Sequence, residues 1–230
     1  MTEIQDFLEK GGLLMYPIII LLVVGLAVFL ERLYTLQRGR VIPMPFVQLL
    51  RKKIVAGRAD EALTLCEGNP SPVSAVAAAG LKLSGRSRSV VKEAFEEVGR
   101  LEVSALNRFV EVLGTIAAIA PLLGLLGTVI GMIKMFDTLV AGQVATEGAV
   151  DPGSLANGIS LALYTTAAGL VVAVPTFVAY KFLSSRVERL ALEMEEVTLD
   201  LLNLMTVEEP AGEPVAEAPA TETQPSEAAG

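Results

Sequence analysis

Histidine and tryptophan are absent from the 230 residues, and Cys66 is the one cysteine. Without histidine the commonest general base and metal ligand are missing. A single thiol excludes an intrachain disulfide and a thiolate metal cluster. Between Leu65 and Glu67, Cys66 reads as a small core residue. Charge is scarce as well: 19% of residues are charged and 52% are hydrophobic, too little polar surface for a soluble domain of this length. The formal net charge of −8 comes from acid gathered near the end of the chain, so it says little about partners. No enzyme, cofactor, metal or nucleic-acid partner is expected from this composition.

The apolar residues fall in three blocks. Gly11 to Leu30 runs for twenty residues without a charge, about the number a helix needs to cross a hydrocarbon core about 30 Å thick. The segment before it has more acid than base, and no A-x-A signal follows it, which argues against a cleaved signal peptide. The second block is Val112 to Ile133. The third runs uncharged from Ser154 to Tyr180, with its membrane portion expected from near Ile159. Pro17, Pro121 and Pro175 lie inside the blocks. Spanning helices tolerate proline when neighbours satisfy the freed carbonyl, so these helices are expected to pack on protein.

Orientation follows from the basic residues. Thirteen lie between the first and second blocks and three after the third, 16 of the 18 in all. The connection from Thr138 to Asn157 has none. The positive-inside bias puts the N-terminus and that short connection outside, and the long loop and C-terminus inside. The expected fold is all-α: a polytopic membrane protein with three transmembrane helices, two of them extended into a cytoplasmic helical bundle. The expected order is a periplasmic N-terminus (1–10), transmembrane helix 1 (11–30), a cytoplasmic helical region (31–111) and transmembrane helix 2 (112–136). A periplasmic loop (137–157), transmembrane helix 3 (158–181), a cytoplasmic C-terminal helix (182–207) and a tail (208–230) complete it.

Inside the long loop, Asp60 to Cys66 reads as a short amphipathic helix and Gly68-Asn69-Pro70-Ser71-Pro72 as a turn. From Ser87 on, Val91, Phe95, Val98, Leu101, Ala105 and Phe109 recur at helical spacing, so one long helix is expected to enter the membrane unbroken. Beyond the third span, Leu183, Val187, Leu190, Met194, Val197, Leu201 and Leu204 alternate steps of four and three. That stripe fits a coiled-coil seam or an amphipathic helix packed on its own chain. The tail has four prolines, six glutamates and no base, and its few large apolar residues cannot offset the entropy of ordering it.

Within the second span, Pro121, Gly124, Gly127, Thr128 and Gly131 place small residues four apart, which lets helices approach closely. The third span carries Ser160, Tyr164, Thr165 and Thr166, four hydroxyls in seven residues, then Gly169 and Pro175. At about 100° per residue Ser160 and Tyr164 share a face, Thr165 lies beside it and Thr166 points elsewhere, so the four cannot all meet one cavity. Each is a candidate for lining a pore or for packing and back-bonding, and the Thr128 hydroxyl can likewise line a water-accessible path or bond back to a carbonyl one turn earlier. No carboxylate lies inside any span; Lys134 and Asp137 sit just past the second. An ion path usually shows an intramembrane ionisable group; if this chain conducts protons, the titrating residue must come from a partner chain.

The segments AIAPLLGLLGTVIGMI (Ala118 to Ile133) and GISLALYTTAAGLVVAVP (Gly158 to Pro175), with the topology around them, resemble the MotA/TolQ/ExbB family of proton-channel proteins, closest to its ExbB/TolQ branch. The resemblance implies a pentamer in the bacterial inner membrane around the single-span helices of an ExbD/TolR-like dimer. That dimer would supply the proton-binding aspartate. The complex would energise TonB- or TolA-type work across the envelope, and membrane lipid would surround it. Family pore threonines correspond to Thr128 in GTVIG and Thr166 in TTAAGL. In one respect the chain departs from the pattern: Leu161 stands where the family's third span typically carries a glutamate. Two functions follow, a proton-conducting stator subunit and a non-conducting scaffold that organises partners.

Overall fold

The structure, a computed structural model, describes residues 12–145 and 152–205. The expected N-terminal segment 1–10, part of the short connection and the tail 208–230 lie outside the described residues. Among those described, seven helices occur and no strand: α1 (Met15–Thr35), α2 (Arg38–Val41), α3 (Met44–Val55), α4 (Ala59–Glu67), α5 (Pro72–Leu81), α6 (Arg88–Ala145) and α7 (Pro152–Met205). Three of them, α1, α6 and α7, are long and apolar enough to cross a membrane. Both α6 and α7 run on far past their apolar blocks, so the fold is the expected all-α membrane architecture.

Local chemistry explains the breaks. Pro72 opens α5 at its first turn, where a missing N–H costs nothing. The turn before it is tied by the Asn69 side-chain oxygen, which accepts from the Ser71 N–H at 3.1 Å, and by the Ser74 hydroxyl, which donates to the Ser71 carbonyl at 2.8 Å. Gly57 and Gly85 take φ of +72° and +87° after α3 and before α6, where a side chain would be strained.

Two apolar clusters hold the molecule. The larger lies beyond the basic ends of the apolar blocks. There Leu183, Val187, Leu190, Met194 and Leu201 of α7 pack with Leu36, Phe46 and Leu50, with Val73 and Val76 of α5, and with Val91 and Phe95 of α6. The α7 stripe is thus buried by its own chain. Salt bridges fasten the flanks: Arg38 to Glu193 at 2.6 Å and Arg51 to Asp200 at 2.8 Å. The smaller cluster joins the three apolar helices through Met15, Ile18, Ile116, Ala120, Ala168, Val172 and Ala173.

The α6 stripe differs from the expected one. Val91 and Phe95 are buried, but Leu101 is 64% exposed, and Leu106, Val110 and Leu113 form the packed face. The packed row steps 91, 95, 98, 102, 106, 110, 113, buried except at the half-buried Val98 and Glu102, about 3.67 residues per turn, which a nearly straight helix follows. The expected row through Leu101 to Phe109 averages about 3.6 residues per turn, so helix period alone does not choose between the two rows and packing decides. Glu102 therefore falls on the packed row, and its burial pushes its carboxyl pKa upward.

Candidate functional site

The antiparallel pair α6–α7 changes character along its length. Beyond the basic ends its seam is Leu, Val, Phe and Met. Inside the apolar blocks it is Gly, Ala and Thr. Lipid tails are as apolar as leucine, so burying large side chains between helices gains little there, and close backbone approach takes over.

That approach is tight. A Cβ added at Gly131 would lie 2.9 Å from the Gly158 carbonyl oxygen, and one at Gly124 would lie 3.1 Å from the Thr165 carbonyl oxygen. At Gly127 it would collide with the Thr165 side chain, and at Gly169 it would sit 2.6 Å from the Ala120 carbonyl oxygen. The seam runs Ala120, Gly124, Gly127, Gly131 on α6 against Gly158, Ala162, Thr165, Gly169 on α7. Both helices continue through their prolines, Pro121 and Pro175.

The structure separates the five candidate hydroxyls. Thr165 is fully buried in the seam, and its Oγ1 donates back to the Leu161 and Ala162 carbonyls at 2.9 and 3.0 Å. Thr166 crosses the seam instead: its Oγ1 donates to the Gly124 carbonyl at 3.1 Å. Thr128 is half-buried, and its Oγ1 donates to the Leu125 carbonyl at 2.7 Å. Ser160 and Tyr164 line a shallow recess of about 580 Å³ with Ala156, Ile159, Leu163 and Ala167, all on α7. Ser160 lies roughly 140° around the helix from Thr165, so this recess turns away from α6.

Thr128 follows Gly127 by one residue, and Thr166 follows Thr165 by one. In an antiparallel pair whose seam contains Gly127 and Thr165, those next positions fall on the same flank, about 100° round each helix. The other flank is occupied by α1. Leu161 packs toward Gly12, where an added Cβ would be 3.1 Å from its Cδ1, and Met15 and Ile18 cluster with Ala168 and Val172. Thr128 and Thr166 thus border one face that no helix among the described residues covers. Because both hydroxyl protons are engaged by carbonyls, their remaining lone pairs are acceptors.

Residues 69–196, more than half of the chain, match the MotA/TolQ/ExbB proton channel family. The chain belongs to that family. It is 32% identical over 80% of its length to a putative biopolymer transport protein ExbB homolog of Methanothermobacter thermautotrophicus, covering 64% of that relative. It is 45% identical over 43% of its length to the biopolymer transport protein exbB1 of Vibrio cholerae, covering 41% of it. It is 41% identical over 37% of its length to the Tol-Pal system protein TolQ of Haemophilus influenzae, covering 36%. In each case the matched stretch spans less than two thirds of the relative. Family membership and three long apolar helices make this a membrane protein.

Sequence reasoning missed several positions. Thr176 is buried, donates to the Val172 carbonyl at 2.7 Å, and lies beside Gly25 of α1. Steps of three and four from Gly169 through Val172 would have reached it. Gly114 meets the Tyr180 ring, where an added Cβ would be 3.1 Å away. Arg32 is only 7% exposed, paired with Glu31 at 2.7 Å and stacked on Phe109; nothing in its sequence context marks it. Among the described residues no group of His, Cys, Asp and Glu could hold a metal ion.

Proposed function

We propose that this chain is the channel-wall and stator subunit of an ExbB–ExbD/TolQ–TolR-like motor, coupling the proton gradient to transport or motility work in the cell envelope. In this reading it sits in the inner membrane with its basic loop and C-terminus cytoplasmic. Five copies surround the paired single-span helices of an ExbD/TolR-like protein, and a TonB- or TolA-like protein receives the work. One observation carries the proposal: Thr128 and Thr166 share a flank of α6–α7 that the described residues leave uncovered, in a membrane region without a carboxylate.

The chemistry suits a carboxyl arriving from another chain. Hydroxyls that already donate to backbone carbonyls offer acceptors outward. An acceptor face favours a protonated carboxyl, which donates, over a carboxylate, which needs donors. Such a face would hold the partner's aspartate neutral while it passes through the low-dielectric region. Thr165 serves the seam, and Ser160 and Tyr164 address a different surface. Pro121, Gly124, Gly127, Gly131, Gly169 and Pro175 keep the helix pair in register.

The test is proton uptake into liposomes containing the chain co-purified with its single-span partner. Thr128→Val and Thr166→Val are expected to lower partner-dependent flux at least tenfold while the complex still co-purifies. Full flux in both variants would confine these hydroxyls to packing.

A second reading is a non-conducting scaffold, favoured by Leu161. Where the family typically carries a glutamate, this chain places an apolar side chain that packs toward Gly12. Unchanged envelope function after replacing the partner's aspartate by asparagine would select it.

A further inference from the structure

The basic boundary of the three spans carries a feature that the motor reading does not use. Arg40 stacks on Tyr34, its guanidinium carbon 3.8 Å from the ring centroid. Arg108 stacks on Phe109 at 4.8 Å, and the buried Arg32 reaches the same ring at 4.5 Å. Lys181 lies 5.6 Å from the Tyr180 centroid and 5.8 Å from that of Phe177. Arg40, Arg108 and Lys181 are exposed, and none meets a carboxylate among the described residues. Elsewhere on this side Arg38, Arg51, Lys53, Arg58, Lys92 and Arg100 each pair with one, while Lys52, Lys82, Arg86 and Arg189 have no ion pair among the described residues but also no aromatic support.

These groups stand at one level. The seam register, Gly131 against the Gly158 carbonyl and Gly169 against the Ala120 carbonyl, continues along the antiparallel pair to set Arg108 opposite Lys181. Arg32 on Phe109 brings the end of α1 to that height. The Arg186 guanidinium, which donates to the Leu36 carbonyl at 2.9 Å, ties the chain entering α2 to the same end of α7. The level is also where each apolar block stops, at Leu30, Val112 and Tyr180. The opposite ends have no such set: among the described residues past the second span only Lys134 is basic, with Asp137 three residues on.

We infer that this belt binds the phosphodiester headgroups of anionic phospholipids, which Arg40, Arg108 and Lys181 meet from their aromatic supports. Tyrosine rings settle at headgroup depth, so Tyr34 and Tyr180 keep Arg40 and Lys181 there, and Phe109 holds Arg108 at the same level. A guanidinium lying flat on a ring still presents its edge N–H donors, the geometry that grips a phosphate with two bonds. Missing carboxylate partners leave the charge for a ligand. A zwitterionic lipid brings its own ammonium and gains less. The assignment rests on the three-span reading and not on proton conduction.

The experiment uses the full chain in nanodiscs of phosphatidylcholine, titrated with phosphatidylglycerol, with bound lipid counted by native mass spectrometry. Each boundary cation is worth about fivefold in affinity for an anionic surface, so Arg40→Gln, Arg108→Gln and Lys181→Gln together are expected to weaken phosphatidylglycerol binding about a hundredfold. Phosphatidylcholine binding should not change. Lys134→Gln is expected to have no effect, whereas Tyr34→Leu with Phe109→Leu should weaken binding at constant net charge. Unaltered binding in the triple variant, or an equal loss in Lys134→Gln, would overturn the site. Displacement of the lipid by millimolar inorganic phosphate would assign the belt to free phosphate instead. A chain that does not enter the nanodisc would overturn the three-span reading and the belt with it; one that enters and holds both lipids equally overturns the belt alone.

Discussion

Replacing Gly169 by alanine adds one methyl group where the α6 backbone leaves no room. The new Cβ would sit 2.6 Å from the Ala120 carbonyl oxygen and 3.1 Å from the Gly124 Cα. These are backbone atoms in a helix and cannot rotate aside, so the two helices must separate by about 1 Å to restore van der Waals distance. A gap of that size forfeits a quarter to a half of each dispersion contact along the seam, and overpacking of this kind costs about 1–3 kcal/mol. The Thr166 hydroxyl, now 3.1 Å from the Gly124 carbonyl, would be drawn beyond hydrogen-bond range. An interhelical bond in a membrane adds about 0.6 kcal/mol, so the expected loss is about 1.5–3.5 kcal/mol. Reversible unfolding in mixed micelles, followed by circular dichroism, measures it. Gly99→Ala is the matched control. Gly99 lies inside α6 with nothing within 4 Å of an added Cβ, and there alanine should stabilise by about 0.5–1 kcal/mol through helix propensity. Equal stability of Gly169→Ala and the unaltered chain would refute the close-packed seam. So would equal effects of the two substitutions.

Two further outcomes concern ionisation outside the membrane. Burial lifts the Cys66 thiol from an ordinary 9.0 to about 11, so at pH 8 its thiolate fraction should be about a hundredfold below that of the unfolded chain; a disulfide reagent reacting at equal rates with both would refute this. Since the folded thiol holds its proton more tightly, stability should be level below about pH 9 and decline from there toward 11. Burial likewise raises the Glu102 carboxyl, so its stabilising contribution is present in acid and lost as pH rises past the ordinary carboxylate range. Glu102→Gln should therefore raise stability at pH 7 and flatten the acid limb of the stability profile, and denaturant midpoints from pH 4 to 8 would show either result.

Much of the architecture was legible because the membrane imposes simple arithmetic. Charge-free runs near 20 residues mark helices, and Pro72 and the Gly68–Ser71 turn mark where one helix yields to the next. The α7 row from Leu183 to Leu201 was legible for the same reason: its apolar side chains repeat at helical spacing. The α6 row misled after Val98, because Leu101 and Glu102 are both within reach of a helical step and only packing selects between them. At the candidate site, small residues announced close approach without naming what they approach. Thr128 and Thr165 look alike in sequence, yet one borders an uncovered flank and the other is sealed against Gly127.

The sequence by itself determined three apolar helices, the side on which positive charge gathers, and the absence of a carboxylate at membrane depth. These depend on composition and on order along the chain, which no folding step alters. Only the tertiary structure decided that Thr128 and Thr166 share a flank while Ser160 and Tyr164 face away, that Leu161 meets Gly12 just ahead of α1, and that Arg40, Arg108 and Lys181 form one level. Each depends on the register between α6 and α7, and that register is set by which glycine meets which carbonyl across the seam.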